Sequence, residues 1–257
     1  MACAIHPVHR CLDFPDSPCS SPSCPPTRST SHYSRCTIIP MSWQLLVTIS
    51  IISISIGNLY QRLAMKETES DAIAGSIIFQ FTLTAITGVF ALSQGLYLPT
   101  LNQLPQFMLS GGLYALGTLA YFKAIKLIEA SESTILASIG SIVTVISSYI
   151  FLGERLSSLQ LLGAGLILAS VIIISWARKI TYSRGVLFSI IGTVSYGLAV
   201  TNDVSILHSF DAVSYTPIAS IIPGILLLIL FPKSLSSVIN TVKSRYFKPL
   251  LMYCIFY

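Results

Sequence analysis

Charge is scarce in this chain. Only 10% of its 257 residues are Asp, Glu, Lys or Arg, and the basic ones stand singly between apolar runs. No basic stripe with interleaved aromatic residues exists to follow a nucleic-acid backbone, so nucleic acid is excluded as a partner. Catalytic signatures are missing as well. There is no H-E-x-x-H, no G-x-S-x-G, no phosphate-binding loop and no pair of carboxylates one helical turn apart within an apolar run. His208 stands alone in a loop, a place that suits solvation better than general-base work. No enzyme activity and no cofactor are expected.

The first forty residues lack what a functional leader would need. They hold five of the six cysteines and about half of the prolines, yet no apolar stretch follows a basic start as a secretory signal requires. His6, His9, Cys11, Cys19, Cys24 and Cys36 include no C-x2-C pair and match no structural zinc spacing. Residues 1–40 therefore read as a disordered Cys/Pro/Ser-rich tail with no metal site. A second reading makes Met41, immediately before the first apolar run, the true start.

What remains is overwhelmingly apolar. Mean hydropathy is +0.75 and 53% of residues are hydrophobic, a balance that soluble domains of this length rarely show. The fold class is an all-α multi-pass membrane protein, with the lipid bilayer as solvent. Apolar runs of the roughly 17–25 residues needed to cross a bilayer begin near Trp43, Ala72, Phe107, Thr134, Leu159, Gly185 and Ala212, ending near Tyr60, Leu92, Ile128, Leu152, Trp176, Asn202 and Phe231. An eighth starts near Pro249 and is cut off at Tyr257. Between the fourth and fifth, Gly153 suits a left-handed helix end, and Ser157 with Gln160 has capping-box spacing. Thr68 and Asp71 have the T-x-x-D spacing of a cap before the second run, and Pro105 opens the third.

An internal repeat organises these runs. A shift of 140 residues pairs Ser53 with Thr193, Ser55 with Ser195, Gly57 with Gly197, Asp71 with Asp211 and Ala72 with Ala212. Five runs per repeat is an odd number, so the second repeat enters the membrane from the opposite side. The basic residues agree: Arg62 and Lys66 follow the first run, whereas Lys233, Lys243, Arg245 and Lys248 follow the seventh, a swap of loops between halves. By this count the loops after runs one, three, five and seven are cytoplasmic and Met41 begins outside.

The segment Y-F-K-A-I-K-L-I-E-A-S from Tyr121 to Ser131, then L-G-E-R-L-S from Leu152 and L-L-G-A-G-L-I-L-A from Leu161, resembles the end of an EamA domain, the repeat unit of the drug/metabolite transporter superfamily. Ala124, Lys126, Ala130, Gly153, Glu154, Arg155, Leu156 and Gly163 carry the likeness, which extends more weakly back to about Trp43. The resemblance implies ten helices in two inverted five-helix repeats. Here these are residues 41–177 and a truncated second repeat, 185–257, with about eight helices present. It implies both termini inside, against the charge count above. It also implies a carrier that moves a small organic solute across the cytoplasmic membrane by alternating access. A truncated, non-transporting membrane protein or interaction partner is the alternative, ahead of a membrane enzyme.

Solute-path candidates are the polar residues inside the runs, because polar groups in lipid are costly unless used or paired. They are Asn58, Gln61, Gln80, Tyr114, Tyr121, Ser138, Ser141, Tyr196, Asn202 and Asp203. Serine and threonine in such helices usually bond their own backbone, whereas Asn58, Gln61 and Asn202 carry amides that the backbone does not satisfy. A proton-coupled carrier needs a buried carboxylate, for which Glu132 and Asp203 are the candidates. Gly57, Gly163, Gly165 and Gly197 are expected at close helix contacts, and small-residue seams left open by a truncated repeat predict a homodimer. Where family members often carry a proline in the fourth helix this chain has Ser141, so a kink is expected to be lost. An arginine often seen in the second falls on Gln80, which makes organic anions less fitting cargo than neutral or zwitterionic metabolites.

Overall fold

Each long apolar run becomes a helix, because a backbone in lipid satisfies its polar groups only by bonding within itself. The computed structural model describes residues 43–65, 71–153, 156–177, 183–244 and 247–257. Helices α1 (Trp43–Met65), α2 (Ala72–Gln94) and α3 (Leu104–Leu127) are followed by α4 (Ala130–Ala137), α5 (Ile139–Ser147) and α6 (Ser158–Ala177). Then come α7 (Arg184–Leu207), α8 (Ala212–Leu230), α9 (Ser234–Lys243) and α10 (Phe247–Phe256). Among the described residues there is no strand.

Local chemistry sets the helix ends. Gly153 takes φ +67°, the left-handed conformation that only glycine adopts cheaply. Ser157 and Gln160 form the expected reciprocal box: the Ser157 N–H donates to Gln160 Oε1 at 2.8 Å and the Gln160 N–H to Ser157 Oγ at 3.3 Å. Asp71 itself caps α2 by accepting from the Ile73 N–H at 2.9 Å. That corrects the T-x-x-D reading, in which Asp71 served as the third helical residue; Thr68 lies outside the described residues. Asp211, its counterpart 140 residues on, caps α8 by accepting from the Ser214 N–H at 2.8 Å.

The helices do not correspond one to one with the apolar runs. Six stretches among the described residues are long and apolar enough to cross a membrane: 44–65, 72–94, 135–152, 158–177, 184–207 and 212–230. Helix α3 has the length, but Gln106, Tyr114, Tyr121, Lys123 and Lys126 dilute its apolar character. It packs along α7 and also against α8 and α2, so much of its surface meets protein. The stretch before Pro249 is not a plain loop. It contains α9, which packs on α2, and α10 begins at Phe247.

The fourth run is interrupted despite lacking a proline. Helix α4 stops at Ala137, the Ser138 N–H bonds back to the Ile135 carbonyl, three residues earlier, at 3.2 Å, and α5 resumes at Ile139. Residues Ser148–Leu152 then form a π-helical turn. The lost kink is thus replaced by a tightened turn at one end and a widened one at the other.

Polarity is arranged inside out relative to a water-soluble protein. Gln61, Ser76, Gln80, Ser110, Thr118, Ser189 and Thr193 are buried between helices, while Leu59, Leu63, Leu161, Leu162, Leu166, Ile172 and Ile173 face outward. Helix α6 is nearly all outward-facing, with Val171 its one buried residue, whereas α7 is central. Helix α3 packs on α7, α1 on α10 and α2 on α8. One apolar cluster joins Met65, Phe79, Phe122, Leu250 and Tyr253 across α1, α2, α3 and α10. A second joins Phe107, Ile206, Tyr215 and Ala219 across α3, α7 and α8.

Candidate functional site

Helix α3 crosses α7 closely because glycines face each other there. A Cβ on Gly192 would lie 3.2 Å from both the Gly117 carbonyl oxygen and the Tyr121 amide nitrogen, so a side chain has nowhere to go. This approach places two polar layers between the helices. In one, Gln80 Nε2 donates to Thr118 Oγ1 at 2.8 Å, and that hydroxyl shares a 2.8 Å hydrogen bond with the Tyr196 phenol. In the other, Asp203 gathers three hydroxyls. Ser110 Oγ donates to Oδ1 at 2.7 Å, Tyr215 donates to the same oxygen, and Tyr114 donates to Oδ2.

Asn202 braces the second layer. Its amide nitrogen donates to Ser110 Oγ at 2.7 Å and to the Gln106 carbonyl at 2.9 Å. Ser110 thus accepts from Asn202 and donates to Asp203, relaying one helix's amide to the same helix's carboxylate through α3. Groups from α3, α7 and α8 meet at one carboxylate, which in a low-dielectric setting rigidifies the contact and resists partial disassembly.

A cavity of about 310 Å³ opens beside these layers. Asp203, Tyr114, Tyr196, Tyr215, Gln80 and Phe79 line it, with Leu83, Leu207, Thr216, Ala219, Ser220 and Tyr257 completing the wall. The Tyr114 and Tyr196 rings meet edge to face at 5.6 Å, and Phe79 and Tyr257 do so at 5.0 Å. The first pair joins α3 to α7, and the second sets Phe79 of α2 against the residue after α10.

Gln80, Tyr114, Tyr196 and Asp203 of the sequence candidates border this cavity, Asn202 reaches Asp203 through Ser110, and Tyr121 packs on Tyr196 at 6.5 Å. The others lie elsewhere. Asn58 and Gln61 are on α1, where the Gln61 amide is fully buried with neither polar atom bonded. Ser138 lies at the α4–α5 break, and Ser141 is exposed on α5. Glu132 is on α4 beside a separate polar pocket that includes Arg62, Lys126 and Glu129. Ser110, Thr118 and Tyr215 were not singled out by sequence. For Ser110 and Thr118 the signal was their spacing from Tyr114, four residues to either side on one face of α3.

The glycines divide similarly. A Cβ on Gly197 would meet Val143 Cγ1 at 2.8 Å and the Gly140 carbonyl oxygen at 3.0 Å, and one on Gly57 would touch Tyr253 and Phe256 at 3.5 Å. In front of Gly163 and Gly165 nothing lies within 4 Å.

No cluster of three or more His, Cys, Asp or Glu able to hold a metal occurs among the described residues. A carboxylate, an amide and aromatic rings thus surround one cavity between membrane helices, the candidate site of this chain. No curated protein matches the chain. The model of the EamA-like transporter family matches residues 41–176, more than half of its length. With its several apolar helices and polar interior, the chain is a multi-pass membrane protein and belongs to the EamA-like transporter family.

Proposed function

We propose that the chain is a carrier that moves a small organic solute across the cytoplasmic membrane by alternating access. Its solute site is the Asp203 cavity, and its moving halves are two inverted repeats, residues 41–177 and 185–257. One relationship carries the reading. A shift of 140 residues turns α1 into α7, α2 into α8 and α3 into the region of α10. Exchanging the halves turns the packing of α3 on α7 into that of α10 on α1, and turns the α2–α8 contact into itself. Such exchange is the mark of a two-fold relation between repeats.

The caps at Asp71 and Asp211 sit at equivalent positions and support the same relation. Helix α3 serves as a further span: its 24 residues reach about 36 Å, enough for a hydrocarbon core of about 30 Å. The cavity draws Gln80 and Tyr114 from the first half and Tyr196, Asp203 and Tyr215 from the second. Rocking one half against the other would open it to either side in turn.

The test is uptake of a panel of labelled small organic solutes into liposomes holding the purified chain. At least one solute enters faster than into protein-free liposomes, and Asn202→Ala and Gln80→Leu lower its flux severalfold, whereas Asn58→Ala, which does not line the cavity, leaves it unchanged. Flux equal to that of empty liposomes for the whole panel, or untouched by both Asn202→Ala and Gln80→Leu, overturns the proposal.

A further inference from the structure

We infer that the Asp203 cavity recognises an organic cation, a small alkyl- or aryl-ammonium group held between the carboxylate and the surrounding ring faces. The inference rests on the carrier reading only for its place in transport; the binding chemistry stands on its own geometry.

Charge is the first observation. Asp203 is the one ionisable carboxylate in the lining, which contains no Lys, Arg or His among the described residues. Its hydrogen-bond partners, Ser110, Tyr114 and Tyr215, are neutral hydroxyl donors. A buried anion solvated only by neutral groups is stabilised by an incoming positive charge and repels a negative one.

The unfilled acceptor is the second. A carboxylate offers about four lone-pair directions. Oδ1 uses its two on Ser110 and Tyr215, while Oδ2 uses one on Tyr114. Among the described residues Oδ2 accepts from no other donor, which leaves one direction for a ligand N–H or for direct contact with an onium carbon shell.

Spent hydroxyls are the third observation. Tyr114 and Tyr215 donate to Asp203, Tyr196 shares its hydrogen bond with Thr118, and Gln80 Nε2 donates to the same Thr118. These residues have few donors to spare for a polyol or sugar. Aromatic rings from four helices line the cavity as well: Phe79 of α2, Tyr114 of α3, Tyr196 of α7 and Tyr215 of α8. Aromatic faces around a site with one anion attract cations, most strongly when water is excluded. The volume of about 310 Å³ is at the lower end of the range for ligand pockets, so the cation is compact.

Equilibrium binding of labelled benzyltrimethylammonium to the full-length chain in detergent tests the assignment, with benzylsulfonate and uncharged neopentylbenzene as competitors of similar shape. Saturable binding is expected, displaced by unlabelled benzyltrimethylammonium and by neither competitor. Asp203→Asn weakens it about tenfold or more, and Tyr196→Leu about fivefold. Tyr196→Leu leaves the three donors of Asp203 in place and carries the test if Asp203→Asn yields no monodisperse, helical protein. No saturable binding, equal displacement by either competitor, or unchanged affinity in a folded variant overturns the inference. Binding without liposome flux of any solute would uphold the cation site and count against the carrier. Flux of a neutral or anionic solute with no cation binding would overturn the cation site and leave the carrier standing.

Discussion

The phenol of Tyr215 on α8 donates a hydrogen bond to the carboxylate of Asp203 on α7, twelve residues earlier in the chain. The two helices meet at a short connection, so this bond is both a local staple and one wall of the cavity. Tyr114 of α3 donates to the other carboxylate oxygen, making Asp203 the point where three helices are tied.

That tie is measurable. Tyr215→Phe should cost about 1 kcal/mol, the scale of interhelical hydrogen bonds within membranes. Asp203→Ala should cost about 2–3 kcal/mol, because it strands several buried donors at once. A double-mutant cycle on thermal unfolding in detergent checks it: coupling near 1 kcal/mol is expected between Asp203 and Tyr215, and additive losses would mean the bond does not form.

Glycines that look alike in sequence should respond differently. Gly197→Leu forces a side chain into Val143 and the Gly140 carbonyl and should destabilise by about 1–3 kcal/mol. Gly163→Leu faces open space and should stay within about 0.5 kcal/mol of the parent. Paired unfolding curves decide the matter, and equal losses would contradict the placement of α6.

Sidedness tests the repeat. Ser93 at the end of α2 and Ser236 within α9 are both exposed. In a background without other cysteines, Ser93→Cys and Ser236→Cys should react with a membrane-impermeant maleimide from opposite sides of oriented vesicles. An odd number of crossings separates them when α3 spans the membrane and an even number when it does not. Labelling from one side would exclude both α3 as a span and the inverted arrangement.

Much of the helical layout was legible in the order of residues, because lipid exposure demands apolar side chains and caps demand particular ones. Gly153, Ser157 with Gln160, and Pro105 act only on their neighbours, so their effect could be read without knowing the fold. The α4–α5 break was not legible, since its tightened turn at Ser138 carries no proline to announce it. Helix α3 reads less clearly than α6 for a related reason. A helix buried among other helices is released from the need to be apolar, so its polar residues lowered the signal that exposed helices such as α6 display strongly.

For the site, the division is sharper. Sequence alone could say that Gln80, Tyr114, Tyr196, Asn202 and Asp203 are polar in apolar surroundings, and hence costly unless partnered. It could not separate them from Asn58, Gln61 or Ser141, which have the same local character. Only the tertiary packing decided that, because the glycines of α3 and α7 let those helices approach closely, and Tyr114 and Asp203, 89 residues apart, reach each other only across that contact.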